Sequence, residues 1–151
     1  MTIHRTTLEP RRILAVRERV AMTALTDFFA RAFGASAAAL ESSGLHPAGP
    51  PVAVYVGTPG TTVDVAAGFP FTGPLTAPEG TVIVDLPSGD AVEAIHVGPY
   101  DELSVTYEAV GRELVDAGLT HTDTMFEEYL TDPDTSPDPG TWRTRIVFPL
   151  Q

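Results

Sequence analysis

Hydrophobic positions recur with helical spacing in two places along the chain. The first stripe lies in a predicted helix from about Thr23 to Ser43 and consists of Phe29, Phe33, Ser36 and Leu40. The second follows Gly98-Pro99 with the same spacing and consists of Leu103, Tyr107, Val110 and Leu114. A glycine followed by leucine ends each helix, as Gly44-Leu45 and Gly118-Leu119. The pattern therefore predicts two amphipathic helices, each packed by one face.

Short runs of branched and aromatic residues, bounded by proline and glycine, predict strands before and after each helix. In chain order they are Thr2–Leu8, Arg12–Arg17, Val52–Val56, Thr62–Phe69, Thr81–Leu86, Ala91–His96, Thr124–Leu130 and Trp142–Phe148. The turn Pro87-Ser88-Gly89-Asp90 is predicted to join the fifth and sixth strands as a hairpin. The proline- and glycine-rich stretch from Pro70 to Gly80 separates two halves. The expected class is α+β.

The second half of the chain repeats the first. A shift of 74 residues places Phe29 on Leu103, Phe33 on Tyr107, Leu40 on Leu114 and Tyr55 on Tyr129, and a shift of 79 places Phe69-Pro70 on Phe148-Pro149. We predict one domain, residues 1–151, with a first repeat of about 1–72 and a second of about 79–151. Tandem β-α-β-β repeats related by a pseudo-twofold axis predict a curved antiparallel sheet with both helices on one face. The opposite, concave face is then expected to form a ligand cleft.

The strand Thr124–Leu130 combines acidic and aromatic side chains. Because side chains alternate along a strand, Met125, Glu127 and Tyr129 share one face, and Phe126, Glu128 and Leu130 share the other. A carboxylate beside an aromatic ring suits a pocket for an apolar guest with a positive or polarisable centre. A solvated edge strand with two surface glutamates explains the same pattern. The repeat favours the pocket, since Ala53 occupies the place of Glu127 in the first half.

Composition narrows the possible functions. The formal net charge of −11 argues against direct nucleic-acid binding, which needs a basic surface, and against docking on anionic membranes. There is no cysteine and the four histidines are scattered, so no metal site or thiolate nucleophile is predicted. No serine lies in a nucleophile elbow and no glycine loop cradles phosphate, and no cofactor is predicted. No apolar run approaches membrane-spanning length, so a cytoplasmic location is expected.

Four short motifs occur in an order that resembles a known family. They are Leu86-Pro87-Ser88-Gly89, His96-Val97-Gly98-Pro99-Tyr100, Glu127-Glu128-Tyr129-Leu130-Thr131-Asp132-Pro133 and Trp142-Arg143-Thr144-Arg145-Ile146-Val147-Phe148-Pro149-Leu150. Together they look like the GyrI-like small-molecule-binding domain, which is also the effector-binding part of multidrug-responsive regulators of the AraC and MerR classes. The likeness covers essentially the whole chain, here expected in a stand-alone form.

The resemblance implies a concave aromatic pocket with a buried glutamate that meets lipophilic, often cationic, compounds. On the Glu-x-Tyr pattern of the family, these residues are Glu127 and Tyr129. The full set of candidate ligand-binding residues is Glu127, Tyr129, Tyr55, Tyr100, Trp142 and Met125. Trp142 could instead pack in the core without contacting a ligand, and core packing is what we expect for Tyr107. Aromatic walls attract flat cations, and a buried carboxylate favours a cationic guest.

Two residues depart from the family pattern. Arg145 stands where an acidic residue is frequent, and we expect it to place a positive charge near the pocket rim. Glu128 lies on the face expected to pack toward the helices, where an aliphatic residue would be usual. Either that strand end is exposed or the two faces of the strand are assigned the wrong way round. His96, at a strand end, is expected to be structural or to face solvent.

Three functions fit the resemblance. The first is a stand-alone binding protein for hydrophobic, aromatic or cationic small molecules; no helix-turn-helix flanks the domain in this sequence. The second is a hydrolase of reactive cyclopropane-bearing natural products, in which Glu127 is the catalytic base and Tyr129 or Tyr55 polarises the leaving carbonyl. The third is a protein-interaction role such as gyrase inhibition. The first two hypotheses both need Glu127 and aromatic walls, so the sequence leaves enzymatic activity open.

Overall fold

The computed structural model describes residues 2–151, which form eight β-strands and two α-helices. The strands are β1 (Thr2–Leu8), β2 (Arg12–Ala21), β3 (Val52–Val56), β4 (Thr62–Phe71), β5 (Val82–Asp85), β6 (Gly89–Val97), β7 (Thr124–Tyr129) and β8 (Arg143–Pro149). The helices are α1 (Leu25–Ser42) and α2 (Leu103–Asp116), each preceded by one 3₁₀ turn. All the strand pairs described below are antiparallel, and the predicted α+β class is confirmed.

The chain divides into two compact units. The first, Pro10–Pro87, contains four strands in the order β3-β4-β2-β5, with α1 packed on β2 and β4. The second consists of Ser88–Gln151 together with the segment that ends at Glu9. Its four strands lie in the order β1-β6-β8-β7, and α2 packs on β6.

Strand pairing groups the chain differently from two sequential repeats. Strand β1 pairs with β6, as Ile3 opposite Ala94, whereas β5 pairs with β2, as Val84 opposite Ile13. Each predicted repeat therefore contributes its first strand to the unit that holds the other helix. The predicted hairpin at Pro87-Ser88-Gly89-Asp90 is wrong, because β5 and β6 are not partners. Pairing between strands far apart in sequence outweighs the local turn signal at this place.

Both helices end as their sequences predict. Gly44 has a φ of +78° and Gly118 a φ of +68°, a conformation that glycine adopts without the steric cost of a Cβ. Behind each glycine, the N–H of Leu45 donates to Leu40 O and that of Leu119 to Leu114 O, both at 2.9 Å. These bonds satisfy carbonyls that the helix leaves without an internal partner.

The predicted helix stripes are right for α2 and partly right for α1. Val110 and Leu114 are buried in the core of the second unit, with Leu103 and Tyr107 packed against them. In α1 the buried residues are Phe28, Ala32, Ser36, Ala39 and Leu40. Phe29 and Phe33 are half-buried and stack on each other with ring centroids 5.7 Å apart. The two phenylalanines therefore border the buried face of α1 and do not form its centre, which Phe28 and Leu40 occupy with three smaller residues.

Candidate functional site

The register of β7 and β8 decides which face of β7 carries the site. Glu127 lies opposite Ile146 and Tyr129 opposite Thr144. Ile146 belongs to the core cluster that includes Val110 of α2, so Glu127 lies on the helix-facing side of the strands. The assignment of Glu128 to the helix-facing side is therefore wrong, and the alternative that the two faces are assigned the wrong way round agrees with the structure. Alternation along a strand determines which residues share a face, but not which face meets a helix.

Glu127 is a buried carboxylate held by two tyrosines. Its side chain is 4% exposed, and its Oε1 accepts a hydrogen bond of 2.6 Å from the Tyr129 hydroxyl. Its Oε2 accepts a second hydrogen bond from the Tyr107 hydroxyl of α2. An ionised carboxylate can only accept hydrogen bonds, and here both oxygens do so. The two phenols orient the carboxylate without adding a positive charge of their own.

Tyr107 is the residue of this site that the sequence analysis missed. It lies on the core stripe of α2 as predicted, and its ring packs edge-on against Phe148 with centroids 5.9 Å apart. Its hydroxyl, however, reaches across to Glu127. The signal was present in the residue type, because a buried tyrosine usually requires a hydrogen-bond partner. The other members of the stripe have no hydroxyl, so their positions give no such signal.

Three of the predicted aromatic residues come together beside Glu127. The Tyr100 ring lies 4.9 Å from the Trp142 ring and 5.7 Å from the Tyr129 ring, centroid to centroid. Trp142 donates its indole N–H to Ser136 O at 2.7 Å, which fixes the ring. All three rings are half-buried. Tyr100, Tyr129 and Trp142 therefore form an aromatic cluster, the name used for them below.

Met125 lies at the other end of the same strand face. Its sulfur is 3.9 Å from the Tyr107 hydroxyl, and its side chain packs against the core of the second unit. Thioethers are flexible and polarisable, so Met125 can adapt to neighbouring rings. The structure thus brings together five of the six candidate residues in the second unit: Glu127, Tyr129, Tyr100, Trp142 and Met125.

The electrostatic setting of the aromatic cluster is negative. Burial raises the pKa of the Tyr100 hydroxyl above its ordinary value of 10.0, and the charges of Asp132 and Glu127 raise it further. A phenol resists ionisation when desolvation and nearby negative charges both oppose a phenolate. Tyr100 therefore stays neutral well above physiological pH, and the charge of Glu127 extends to the aromatic cluster.

Tyr55 lies in the first unit. It is half-buried on β3, where it pairs with Val65 of β4. Ala53, the counterpart of Glu127, pairs with Ala67 on the same two strands. A role for Tyr55 in ligand binding stays a prediction.

The two departures from the family pattern belong to the other face of the second unit. Glu128 is buried at 6% exposure, and its Oε1 lies 3.5 Å from an Arg145 nitrogen. The Nε of Arg145 donates to Glu93 at 2.5 Å, and Glu93 also contacts His4 at 2.6 Å. Glu128 is therefore neither exposed nor on the helix-facing side, and Arg145 shares its face, opposite to that of Glu127. The alternation of β7 and β8 places these charges on the opposite face.

Neither a metal-binding cluster nor a membrane-spanning helix is found within residues 2–151. No group of three or more acidic, histidine or cysteine side chains there is arranged to hold a metal ion. No helix in the same range has the length and apolar character required to cross a membrane. His96 is buried, as expected for a structural role, and is hydrogen-bonded to Thr106 and Pro99.

Comparison with protein families identifies the chain. Residues 1–151 match the GyrI-like small molecule binding domain. The chain belongs to the GyrI-like family. A search of curated proteins gives no match.

Solved structures of GyrI-like and related proteins share the fold. The C-terminal domain of EcmrR superposes with a TM-score of 0.83 at 18% identity, covering 99% of this chain and 97% of that one. EcmrR in its complex with DNA superposes with a TM-score of 0.86 at 19% identity. The match covers 99% of this chain but only 57% of that one. SAV2435 bound to tetraphenylphosphonium gives 0.75 at 12% identity, with coverage of 100% and 94%. A hydrolase from Listeria innocua gives 0.65 at 14% identity, with coverage of 99% and 91%. At these identities the likeness shows the fold.

Proposed function

We propose that this GyrI-like domain binds lipophilic aromatic cations at Glu127 and the aromatic cluster. The observation that carries the proposal is the buried Glu127 carboxylate, both of whose oxygens are held by tyrosine hydroxyls. It stands next to the aromatic cluster, whose half-buried rings are the part that a ligand would contact first.

The physical case rests on two attractions that act together. The face of an aromatic ring attracts a cation, and a desolvated contact of this kind is worth about 2 kcal/mol. A carboxylate roughly 5 Å from the positive centre adds about 3 kcal/mol at an effective dielectric constant near 20. Both attractions act without directional hydrogen bonds, so they suit bulky delocalised cations. The binding of tetraphenylphosphonium by SAV2435, which shares the fold, supports this choice of ligand class.

The test uses the single tryptophan of the sequence as its reporter. Trp142 belongs to the aromatic cluster, so its fluorescence reports binding there directly. We expect tetraphenylphosphonium to change Trp142 emission with saturation, and Glu127→Gln to weaken binding by roughly 10- to 100-fold. Glu128→Gln is the matched control, because it removes the next carboxylate on the same strand, equally buried but on the opposite face. That variant should bind like the wild type.

A ligand of the same shape and opposite charge separates charge from shape. Tetraphenylborate should bind the wild type more weakly than tetraphenylphosphonium, and Glu127→Gln should reduce that difference. Equal affinity of the wild type and Glu127→Gln for tetraphenylphosphonium would contradict the proposal. Equal losses in the Glu127 and Glu128 variants would indicate general destabilisation and would contradict it as well.

The hydrolase and protein-interaction hypotheses stay predictions. Hydrolysis would use the same carboxylate as a base, and a carboxylate has lone pairs left after accepting two hydrogen bonds. The fold shared with the hydrolase from Listeria innocua is the observation on its side. Conversion of a cyclopropane-bearing compound by the wild type but not by Glu127→Gln would establish it. A role through a protein partner predicts that Glu127→Gln leaves that interaction intact.

A further inference from the structure

His96 lies at the end of β6 with both ring nitrogens engaged. It is 5% exposed, its Nδ1 lies 2.7 Å from the Thr106 hydroxyl, and its Nε2 lies 3.0 Å from Pro99 O. A carbonyl oxygen only accepts hydrogen bonds, so Nε2 must carry the proton that it donates. In the neutral ring Nδ1 is then an acceptor, and the Thr106 hydroxyl donates to it. The ring therefore connects α2 on one side with the segment before Tyr100 on the other.

Gly98 connects the same segment to Trp142. Its φ is +132°, a value that side-chain-bearing residues rarely adopt, and its N–H donates to Trp142 O at 2.8 Å. A Cβ at this position would come within 3.2 Å of the Glu102 carboxylate and 3.7 Å of His96 Nε2. Glycine therefore permits both the turn and the approach of His96 to Pro99.

The Pro99 carbonyl sets the place of Tyr100. It accepts from His96 and also from the Glu102 N–H at 3.1 Å, which forms the 3₁₀ turn Tyr100–Glu102. Tyr100 is the first residue of that turn, and its ring contacts the other two rings of the aromatic cluster. Displacement of Pro99 would therefore displace the Tyr100 ring from its neighbours.

We propose that His96 is a positioning residue of the ligand site, which holds Tyr100 against Trp142 through its hydrogen bond to Pro99 O. The inference rests on the proposed function for its effect on ligand affinity. Its effect on the aromatic cluster is independent of any ligand. The competing explanation is that His96 only fills space between β6 and α2, and two near-isosteric variants separate the alternatives.

The two variants each keep one half of the histidine. The amide of His96→Gln can occupy the place of Nε2 and donate to Pro99 O. The shorter amide of His96→Asn can occupy the place of Nδ1 and keep the contact with Thr106, but it does not reach Pro99. We expect His96→Gln to retain tetraphenylphosphonium affinity and wild-type Trp142 emission. We expect His96→Asn to weaken binding by roughly three- to tenfold, the value of one aromatic pair, and to make Trp142 more accessible to acrylamide.

The urea midpoints of both variants measure stability, which is the property that a purely structural role of His96 would affect. Loss of stability in His96→Asn with unchanged Trp142 quenching and unchanged affinity would overturn the proposal. Equal loss of affinity in both variants, in proportion to their loss of stability, would overturn it too. Should the wild type bind no tetraphenylphosphonium, the proposed function fails, whereas acrylamide quenching of Trp142 in the two variants still decides the positioning role.

The hydrogen bond from His96 to Pro99 O can also be tested directly in the wild-type protein. The nitrogen-15 shifts of the His96 ring should show a proton on Nε2, the nitrogen that faces Pro99 O. A ring protonated on Nδ1 instead would place no donor on Pro99 O and would overturn the inference.

Discussion

Removal of the Tyr107 hydroxyl tests the part of the site that sequence analysis did not foresee. Tyr107→Phe keeps the ring that packs edge-on against Phe148, so it leaves no cavity. It removes the donor to Glu127 Oε2, while Tyr129 still donates to Oε1. A hydrogen bond to a charged group contributes about 1.5–3 kcal/mol, so we expect a loss of that size in the free energy of unfolding.

The matched control is a second tyrosine of the same site. The Tyr100 hydroxyl donates no hydrogen bond within residues 2–151, although its ring is half-buried beside Trp142. Tyr100→Phe should therefore change the free energy of unfolding by less than about 0.5 kcal/mol at neutral pH. Urea unfolding followed by Trp142 fluorescence measures both variants, and the slope with denaturant should be the same in each.

A double-mutant cycle separates the Tyr107–Glu127 bond from other effects of the substitution. In a Glu127→Gln background, the hydroxyl no longer donates to a charged acceptor, so Tyr107→Phe should cost at least about 1 kcal/mol less than in the wild type. Two results would refute the reasoning. One is a cost as small as that of Tyr100→Phe, and the other is an equal cost in both backgrounds.

Two further predictions concern the frame and the pH dependence. Gly68→Ala should lower the free energy of unfolding by at least about 3 kcal/mol in urea melts, since the new Cβ would lie 1.8 Å from Leu14 O. Gly34→Ala is the comparison, because Gly34 lies in open space on α1, and this change should raise the free energy of unfolding by about 0.5–1 kcal/mol. Folding raises the pKa of Tyr100. The stabilisation that follows from this shift is complete below pH 10, where the phenol is protonated in both the folded and the unfolded chain. It is lost as the pH rises through the pKa of the folded state. Tyr100→Phe should therefore reduce the fall in urea midpoint between about pH 9 and 11, and an unchanged fall would contradict this.

Local features of the fold followed from the sequence because their causes are local. The two helices end at Gly44 and Gly118, where the leucine after each glycine completes the cap. Strand positions followed from runs of branched residues between turn residues. The pairing of β1 with β6 did not follow, since it joins residues about ninety positions apart, as Ile3 and Ala94 show. The turn motif at Pro87 predicted a hairpin instead, because a turn motif is a local pattern in the sequence and the pairing of β1 with β6 is not.

The members of the candidate site were predictable in part, without Tyr107, and its orientation was not. Glu127, Tyr129, Tyr100 and Trp142 were singled out from residue type and resemblance, and the structure brings them together. Which face of β7 meets α2 depends on its register with β8, a tertiary property. The same register decides that Glu128, and not Glu127, shares a face with Arg145.

The matching strand pairs of the two units indicate that the carboxylate is not a requirement of the fold. Tyr55 pairs with Val65 and Ala53 with Ala67 in the first unit, as Tyr129 pairs with Thr144 and Glu127 with Ile146 in the second. The strand positions correspond, yet alanine occupies the place of the glutamate in the first unit. Since the same local architecture forms with a small apolar side chain, burial of a carboxylate adds a desolvation cost that the fold itself does not need. The proposed contact with a cation would offset that cost, which is the reason to begin with a cationic ligand at Glu127.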